Sequence, residues 1–327
     1  MDAHFTMTVN AQQQGLSLLA CLVPCIPYLT QEQWRALFDQ GLVKLDGLSV
    51  AADDGLEVAQ GQVIDYIVPN YQEDEVDTRW TLLWQNQHIA AVHKPANLPV
   101  SRTTRNVYNT LIQILRRESP WPDAHLLHRL DLETSGIILI GQDNEQAKYY
   151  QPKLSQLMQC KKYRAIIHGE PNWKTLQHTS YLNTLKDSPI RCQMHGVEEG
   201  QGKLSETHFT LLAKANGFSL VECELLTGRK HQIRAHLSQL GHPIVGDKIY
   251  SNRGEFYLKR LEDALTQTDY DTLLTDHHLL HAYEIHLNDM WAQNEDTAVP
   301  IVIRDEQYSD VWRGFAKQVG LGVESLD

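Results

Sequence analysis

The chain has 327 residues and a formal net charge of −12, and hydrophobic residues make up 42% of it. One hydrophobic core rarely organises a chain of this length, so we expect a main domain and a smaller one. No apolar run in the sequence approaches the roughly 18 residues of a membrane-spanning helix, and the first residues lack the basic-then-apolar order of a signal peptide. We therefore expect a cytoplasmic monomer with no membrane partner.

The five cysteines are scattered along the chain, as Cys21, Cys25, Cys160, Cys192 and Cys223. An odd number without regular spacing argues against a disulfide framework and is typical of a reducing compartment. Cys21 and Cys25 are close in sequence, but a structural zinc site needs a second such pair. The sequence therefore favours neither a disulfide-stabilised nor a zinc-stabilised fold.

Charge is distributed unevenly along the chain. Residues 1–77 carry two basic and 12 acidic residues, and residues 249–327 carry six basic and 15 acidic residues. Residues 94–248, in contrast, carry 20 basic and 14 acidic residues. A protein that binds nucleic acid must neutralise phosphates, so the acidic total argues against such a partner while the basic middle permits one. The alternative is that the acidic ends only keep the protein soluble.

The first predicted elements form a small N-terminal module over residues 1–70. The apolar-periodic stretch LSLLACLVPCIPYL precedes a second helix, TQEQWRALFDQ, in which Thr30 and Gln33 predict a capping pair. GLVKLDGLSV then predicts a hairpin around Asp46-Gly47, and GLEVAQGQVIDYIV predicts a further strand. This order of helix, helix, hairpin and strand resembles the S4-like RNA-binding module.

Basic residues are scarce in this module, where the helices offer Arg35 and the hairpin offers Lys44. Either a degenerate, acidic module keeps its fold with reduced RNA affinity, or the resemblance is a coincidence. The polar, acidic stretch PNYQEDEVD follows, and we predict a linker over residues 71–79. The main domain is then expected over residues 80–327.

The main domain is predicted to mix strands and helices. Two strands in TLLWQNQHIAAVHKPANLPV end at Lys94-Pro95, because the residue before proline favours an extended conformation. NTLIQILRRE is predicted to be helical, GIILIGQ a strand, DNEQAKYYQPKLSQLMQ mostly helical and KKYRAIIHGE a strand. A hairpin follows around Asn216-Gly217, and RKHQIRAHLSQLG predicts a helix that ends at Gly241. The antiparallel pair indicates an α/β or α+β fold rather than a doubly wound sheet.

The motif HRLDLETSG, from His128 to Gly136, concentrates charge immediately before the apolar run IILI. Asp131 is therefore expected at a loop-to-strand junction, where a rigid sheet fixes its position. A carboxylate near the interior is costly unless it is paired, and Arg129 and Arg234 are the candidate partners. Taken alone, the motif is equally compatible with an aspartate that only braces this corner.

Several small residues near these motifs are predicted to be structural. Thr134, Ser135 and Gly136 let the loop turn tightly into the strand. A nucleophilic Ser135 is disfavoured because the elbow pattern GxSxG is absent. Asn97, in KPANLPV, is a residue that a left-handed turn would tolerate.

The motif HRLDLETSG resembles the signature of the RluA-type RNA pseudouridine synthases. Five further blocks are similar to that family's and stand in the same order, namely HIAAVHKPANLPV, KKYRAIIHG, KLSETHF, LLTGRKHQIRAHLSQLGHPIVGD and LLHAYEIHL. The resemblance extends over roughly residues 80–290. It implies an α+β fold in which a mixed, largely antiparallel sheet is flanked by helices.

The resemblance also implies a reaction. Pseudouridine formation breaks the N1–C1′ bond of a uridine in RNA, turns the base and rejoins it through C5, with no cofactor and no metal. Asp131 matches the family's catalytic aspartate, Arg234 the arginine that pairs with it, and Tyr163 the tyrosine that stacks on the flipped uracil and assists C5 proton removal. Arg129 matches the residue that fills the space left by the base, whose extrusion costs a few kcal/mol.

Basic residues around these positions are candidates for RNA binding. Tyr163 has cationic neighbours on its strand, and a further group is expected to start the helix that carries Arg234, where helical amides add to the attraction for phosphate. His128 is expected to support the site. The candidate set is His128, Arg129, Lys161, Lys162, Arg164, Arg229 and Lys230. The alternative for the cations near Arg234 is a solvated first turn.

Two other functions remain open from the sequence. One is RNA binding without catalysis. The other is a metal-dependent phosphodiesterase built from His128, Asp131, His231, His236 and Asp247, which no metal-binding spacing supports. Ribosomal RNA is the favoured substrate because an S4-like module often accompanies such enzymes, while transfer RNA stays possible. The acidic stretch 252–276 resembles a helical insertion without an assigned role.

Overall fold

The computed structural model describes residues 2–26, 29–51, 56–103, 105–288, 290 and 300–322. The chain divides into two compact units. The first comprises Met1–Val76 and Ser101–Gln113, and the second comprises Asp77–Val100 and Ile114–Asp327. Residues 101–113 thus group with the N-terminal unit rather than with the remainder of the interval 80–327.

The first unit contains a four-stranded antiparallel sheet in the order β1-β4-β2-β3. Its elements are β1 (Ala3–Thr8), α1 (Leu18–Leu22), α2 (Gln31–Asp39), β2 (Val43–Leu45), β3 (Leu48–Ser49) and β4 (Val63–Val68). The predicted capping pair is confirmed, since Thr30 and Gln33 form a reciprocal capping box at the start of α2. The hairpin turn at Asp46-Gly47 is confirmed as well, with both residues at positive φ. Strand β1 was not predicted.

Part of the predicted linker packs within the first unit. Tyr71 is 4% exposed, and its ring meets that of Phe5 edge-on with centroids 5.6 Å apart. The Glu73 carboxylate accepts hydrogen bonds from the backbone N–H groups of Val107 and Tyr108, at 2.9 and 3.1 Å. Residues 71–76 are therefore anchored by side-chain packing and by hydrogen bonds, which their polar composition did not suggest.

The second unit contains an 11-stranded sheet whose main path is β11-β10-β12-β13-β9-β14-β8-β6-β5, with β15 paired to β14 and β7 to β8. Its strands are β5 (Thr81–Gln85), β6 (Ile89–Lys94), β7 (His125–Leu126), β8 (Ser135–Gly141), β9 (Met158–His168), β10 (Thr175–Asn183), β11 (His195–Val197), β12 (Lys203–Ala215), β13 (Phe218–Leu225), β14 (Leu280–Leu287) and β15 (Ile301–Arg304). Its helices are α3 (Leu111–Glu118), α4 (Asn144–Tyr150), α5 (Leu154–Leu157), α6 (Gln232–Gln239), α7 (Glu255–Glu262), α8 (Gln267–Leu273) and α9 (Asp310–Val319). The first three residues of α3 are grouped with the first unit.

The pairing in this sheet is antiparallel except between β14 and β8, which run parallel. This arrangement confirms the expected mixed, largely antiparallel sheet. The hairpin of β12 and β13 turns at Asn216 and Gly217, both at positive φ, as a two-residue turn requires. Strand β8 is buried along its whole length, which explains why its sequence is continuously apolar rather than alternating.

The acidic stretch 252–276 is helical, as predicted. A short 3₁₀ turn leads into α7, and α8 follows after a capping box between Thr266 and Asp269. Lys259 on α7 donates to both carboxylate oxygens of Asp269, at 2.8 and 2.7 Å, which ties the two helices together. Within the described residues, no helix is both long and apolar enough to cross a membrane.

Candidate active site

A pocket of about 770 Å³ lies within the second unit. Three segments contribute most of its lining: the HRLDLETSG loop, the start of β9 and the loop that leads into α6. Helix α7 adds Tyr257 and Arg260. Seven cationic side chains line the pocket against two carboxylates, those of Asp131 and Glu133; the cations are Arg129, Lys161, Arg229, Lys230, Arg234, Lys248 and Arg260.

The HRLDLETSG loop is attached to the sheet by its last three residues. Thr134 Oγ1 lies 2.8 Å from His278 Nε2, and Ser135 Oγ lies 2.8 Å from His281 Nδ1. Gly136 has a φ of 108°, and a Cβ there would lie 2.6 Å from the backbone nitrogen of Ala282 on β14. These buried contacts confirm the structural roles predicted for the three residues, and they occupy the Ser135 hydroxyl.

A buried lysine connects the loop to the neighbouring turn. Lys94 is fully buried, and its Nζ donates to the carbonyl oxygens of Pro95, Leu98 and Leu132, at 2.8, 2.9 and 3.0 Å. Burial lowers the pKa of Lys94 to about 7, although Asp131 opposes this effect. The turn that Lys94 holds contains Asn97, whose φ of 61° is in the left-handed region that asparagine tolerates.

Arg234 binds two carboxylates at once. Its Nη1 donates to Oδ2 of Asp131 at 2.8 Å, while Nε and Nη2 donate to the two oxygens of Asp247 at 2.7 and 2.9 Å. Asp247 also accepts from the backbone N–H groups of Ile249 and Tyr250. Because the side chain of Asp247 is fully buried and that of Asp131 is 28% exposed, the arrangement leaves Asp131 as the carboxylate that a ligand can reach.

The charges around Asp131 keep it ionised. Burial alone would raise its pKa, but the Arg234 guanidinium, with the rings of His231 and His278, holds the pKa below its ordinary value. The second oxygen of the carboxylate, Oδ1, lies 3.7 Å from His231 Nε2. The site therefore presents a charged carboxylate whose first oxygen is fixed by a guanidinium.

A second carboxylate, that of Glu133, connects the HRLDLETSG loop to other parts of the second unit. Glu133 Oε1 accepts from Lys248 Nζ at 2.8 Å and from Arg260 Nη1 at 3.3 Å, and its Oε2 accepts from the His278 backbone N–H at 3.0 Å. Burial would raise the pKa of Glu133, but Lys248 and His278 hold it below its usual range. Through Arg260, the insertion helix α7 is thereby joined to the HRLDLETSG loop.

Comparison with known proteins identifies the family. Residues 88–239 match the model of the RNA pseudouridylate synthase family. The chain is 26% identical over 80% of its length to a ribosomal large subunit pseudouridine synthase D of Zymomonas mobilis, covering 84% of that protein. It is 29% identical over 75% of its length to the protein of the same name in Nitrosomonas europaea, covering 71% of it.

The region 88–239 of the chain belongs to the RNA pseudouridylate synthase family. It is therefore classed among isomerases, and the resemblance stated from its motifs is confirmed.

Solved structures agree with this membership at the level of the fold. Human RNA pseudouridylate synthase domain containing 4 aligns with 73% of this chain and 92% of its own, at a TM-score of 0.54 and 23% identity. The human domain-containing 1 protein aligns with 72% of this chain and 86% of its own, at a TM-score of 0.51 and 22% identity.

The basic residues predicted on strand β9 lie on two different faces of the sheet. Lys161 and Tyr163 line the pocket. The alternation of a strand turns Lys162 and Arg164 the other way. Lys162 Nζ lies 3.2 Å from a carboxylate oxygen of Glu222, and Arg164, 7% exposed, donates to the Tyr308 hydroxyl at 2.8 Å. Lys162 and Arg164 therefore lie outside the pocket lining, and contact of either with RNA stays a prediction.

The start of α6 also differs from the prediction. His231 takes a left-handed conformation as the N-cap, and the helix begins at Gln232. Arg229 and Lys230 line the pocket from the preceding loop rather than from the first helical turn, and Arg229 Nε donates to the Leu204 carbonyl at 3.0 Å. Exposed Arg129 lines the same pocket.

His128 has a structural contact in this family member. Its Nε2 accepts the backbone N–H of Leu139, at 2.9 Å, and so connects the loop to β8. Burial lowers the pKa of His128 to about 4, which keeps the ring neutral and able to accept this bond at neutral pH. The position supports the loop, and a direct contact with RNA stays a prediction.

The side chains considered for a metal site are engaged in other contacts. His236 lies between the hydroxyls of Thr207 and Ser180, at 3.0 and 3.1 Å, and Asp247 is held by Arg234. In the part of the chain that the structure describes, no three His, Cys, Asp or Glu side chains form a group that could hold a metal ion.

Three residues of the site were not predicted in their observed roles, and one of them, Asp247, was considered only as a metal ligand. Asp247 lies 13 positions from Arg234, within the same LLTGRKHQIRAHLSQLGHPIVGD block, but nothing local signals that it shares the guanidinium. Glu133 stands inside the HRLDLETSG motif and is buried, and a charged residue so close to an apolar strand could have suggested a partnered carboxylate. Arg260 belongs to the insertion and lines the pocket, but the acidic composition of the insertion did not suggest a basic residue in the site.

Proposed function

We propose that this protein isomerises uridine to pseudouridine within RNA and that Asp131 is the catalytic carboxylate. The observation that carries the proposal is an ionised, partly exposed Asp131 paired with Arg234 in a pocket that RNA could enter. The reaction needs a carboxylate that attacks or stabilises the separated sugar or base, and carboxylates serve as covalent nucleophiles in other enzymes. Arg234 supports this role, because it keeps the carboxylate charged and leaves Oδ1 available.

The charge of the pocket supports RNA as the substrate. Its lining carries seven cations and two carboxylates, in a protein whose total charge is −12. Such a local excess attracts phosphate groups, which fix the position of a nucleic acid without reading its sequence. Arg129 is exposed at this pocket, and we assign to it the space vacated by the extruded base.

Tyr163 fits a stacking role better than the role of a base. Burial, with a smaller contribution from Asp131, raises the pKa of its hydroxyl above the ordinary value. The hydroxyl therefore stays protonated at neutral pH. Its aromatic ring is suited to stacking on a uracil that has left its helix, a contact worth about 1–3 kcal/mol per base. Lys161 on the same strand face is placed for a neighbouring phosphate.

Ribosomal RNA is the proposed substrate. The relatives described above carry names that refer to the large ribosomal subunit. The element order of residues 1–70, which resembles an S4-like module, agrees with this choice, although the module is acidic. Transfer RNA is the alternative substrate. Mapping carbodiimide-modified pseudouridines in both RNA classes, from cells with and without the gene, will distinguish the two substrates.

The replacement Asp131→Asn tests the catalytic assignment. The amide has the shape of the carboxylate but lacks its charge, so we expect loss of pseudouridine formation with RNA binding nearly unchanged. The reaction is followed by tritium release from RNA labelled with 5-tritiated uridine, prepared from cells that lack the gene. Asp187→Asn, at an exposed position of the same unit, serves as the control and should be fully active. Full activity of Asp131→Asn would remove Asp131 from the mechanism.

Two outcomes would favour the other functions. If the native protein binds this RNA but releases no tritium from it, the protein is an RNA-binding member of the family without catalysis. If it cleaves RNA and chelators such as EDTA stop the cleavage, a metal-dependent phosphodiesterase is indicated. We expect pseudouridine formation that is indifferent to EDTA.

A further inference from the structure

His231 stands between the catalytic carboxylate and a buried tyrosine. Its backbone has a φ of 52°, in the left-handed region that residues other than glycine seldom adopt. Its side chain is 8% exposed, and its Nδ1 lies 3.2 Å from the Tyr250 hydroxyl. Its Nε2 lies 3.7 Å from Oδ1 of Asp131, the oxygen that Arg234 does not hold. The strained backbone thus places one ring between two polar groups.

The hydrogen bonds around Tyr250 assign the tautomer of His231. The Tyr250 oxygen accepts the backbone N–H of Met194 at 2.8 Å. Burial raises the pKa of Tyr250, so the hydroxyl keeps its own proton. Among the described residues, His231 Nδ1 is the acceptor placed to receive that proton. A neutral ring that accepts at Nδ1 carries its proton on Nε2, the nitrogen that lies 3.7 Å from Asp131 Oδ1.

The surroundings of the ring favour its neutral form. Two cations face it, Arg234 and Lys230, and two carboxylates oppose them, Asp131 and Asp247. Burial and the Arg234 guanidinium outweigh the carboxylates and lower the pKa of His231 to about 4. A neutral N–H can orient the carboxylate without neutralising it, whereas an imidazolium would compete with Arg234 for its charge.

We propose that His231 is a positioning residue for Asp131, with Tyr250 fixing its tautomer so that the Nε2–H group orients Oδ1 for reaction. The inference rests on the proposed function, in which Asp131 acts on the uridine. The present separation of 3.7 Å exceeds hydrogen-bond length, and such contacts commonly shorten when the substrate closes the site. Arg234 and His231 would then hold one carboxylate oxygen each.

Nitrogen-15 NMR of labelled native protein tests the tautomer without any RNA. We expect His231 to show a pyridine-type shift at Nδ1 and a pyrrole-type shift at Nε2 at pH 7. Tyr250→Phe removes the hydroxyl proton while keeping the aromatic ring, so the two nitrogens should move towards averaged shifts. A protonated Nδ1 in the native protein would overturn the inference, even if the enzyme proves fully active.

Steady-state kinetics test the effect on the reaction. Because a misplaced reacting group costs on the order of 10²-fold, we expect His231→Leu to lower kcat by about 10- to 100-fold with little change in KM. His231→Gln retains a neutral N–H near the position of Nε2 and should recover part of the loss. Unchanged kcat in a folded His231→Leu protein would overturn the inference. If that variant does not fold, Tyr250→Phe decides, since an undiminished kcat with averaged His231 shifts would equally exclude the role.

A control separates this inference from the proposed function. His242→Gln alters a histidine just beyond α6 that bonds the His168 carbonyl, outside the pocket lining, and it should retain native kcat. If Asp131→Asn is fully active, the proposed function fails whatever His231 does. If Asp131→Asn is inactive while His231→Leu matches the control, the proposed function stands and the positioning role of His231 fails.

Discussion

Arg234 illustrates what a planar guanidinium can do that an ammonium group cannot. Its fork satisfies both oxygens of buried Asp247 and still directs Nη1 at Asp131. Five donors in fixed geometry allow this division, whereas a lysine offers one compact charge on a flexible stem. The buried carboxylate of Asp247 and the partly exposed carboxylate of Asp131 are therefore linked through a single side chain.

Replacement of Arg234 by lysine is expected to lower both stability and activity. Asp247 would keep a buried charge with an incomplete partner, which destabilises the fold by up to about 3 kcal/mol. The pKa of Asp131 would rise towards its ordinary value, so the acid limb of the activity profile should move to higher pH. Urea unfolding and kcat/KM between pH 4 and 8 measure the two effects.

The matched control for this replacement is Arg313→Lys, at an exposed position of α9. It should leave the unfolding midpoint and the pH profile unchanged. If the two variants show the same unfolding midpoint and the same pH profile, the ion pairs of Arg234 contribute neither to stability nor to the pKa of Asp131. That result would contradict the role inferred from the geometry of Arg234.

At the scale of elements, strong local signals were sufficient to predict structure. The capping box at Thr30 and the turn at Asn216-Gly217 are encoded in a few neighbouring residues, and both were predicted correctly. Strands β10, β11 and β15 and helix α9 were not predicted. Strand pairing joins residues far apart in sequence, such as Glu284 with Arg304, and periodicity alone does not show it.

The site residues that belong to recognisable motifs could be predicted from the sequence. The contacts that depend on the three-dimensional arrangement of the chain were harder to predict. The pair Asp131 and Arg234 followed from the family resemblance. The basic composition of KKYR did not distinguish Lys162 and Arg164 from the residues that line the pocket, although the two-residue period of a strand separates them from Tyr163. The start of α6 was misplaced because a left-handed His231 interrupts the helical pattern.

The junction of β8 with β14 yields a prediction at this scale. Gly136→Ala would place a methyl group against the backbone of Ala282 at a φ that alanine disfavours. We expect a loss of at least about 2 kcal/mol of stability from strain and overpacking, and a lower kcat because the HRLDLETSG loop, which contains Asp131, ends here. Urea unfolding of the purified variant provides the measurement.

Gly314→Ala is the control for that substitution. Gly314 lies within α9, and no atom would contact the added methyl group. Alanine is the better helix former, so the control should gain about 0.5–1 kcal/mol. A loss at Gly314 similar to that at Gly136 would show that the close approach to β14 is not the cause.

At the scale of the whole molecule, charge is distributed unevenly along the chain. Several histidines are buried in the second unit and are neutral there. Burial is the first cause in each case, and it lowers the pKa of His231 and His281 to about 4 and that of His236 and His278 to about 3. In the unfolded chain these rings titrate near pH 6.5. Below that pH, the folded state therefore binds fewer protons than the unfolded state.

Stability is expected to fall as the pH drops from 7 to 5. Each buried ring contributes stability that is present above pH 6.5 and is lost progressively towards its folded pKa, about 1–2 kcal/mol per ring by pH 5. The depressed carboxylates Asp131 and Glu133 act in the same direction at lower pH. Urea midpoints at pH 8 and 7 should nearly coincide, because the rings are neutral in both states, whereas the midpoint at pH 5 should be clearly lower. Equal midpoints at pH 7 and 5 would contradict the burial argument.

Strand β14 has a consequence for the order in which the molecule can be assembled during synthesis. It lies between β8, which follows the Asp131 loop, and β9, which carries Tyr163. As the chain leaves the ribosome, β5, β6 and β8 emerge early and β9 to β13 emerge later. Within the residues that the structure describes, no strand of the first group pairs with a strand of the second. The two groups become one sheet when Leu280–Leu287 arrives. A nascent chain that lacks this strand therefore cannot join the Asp131 loop and the Tyr163 strand in one sheet.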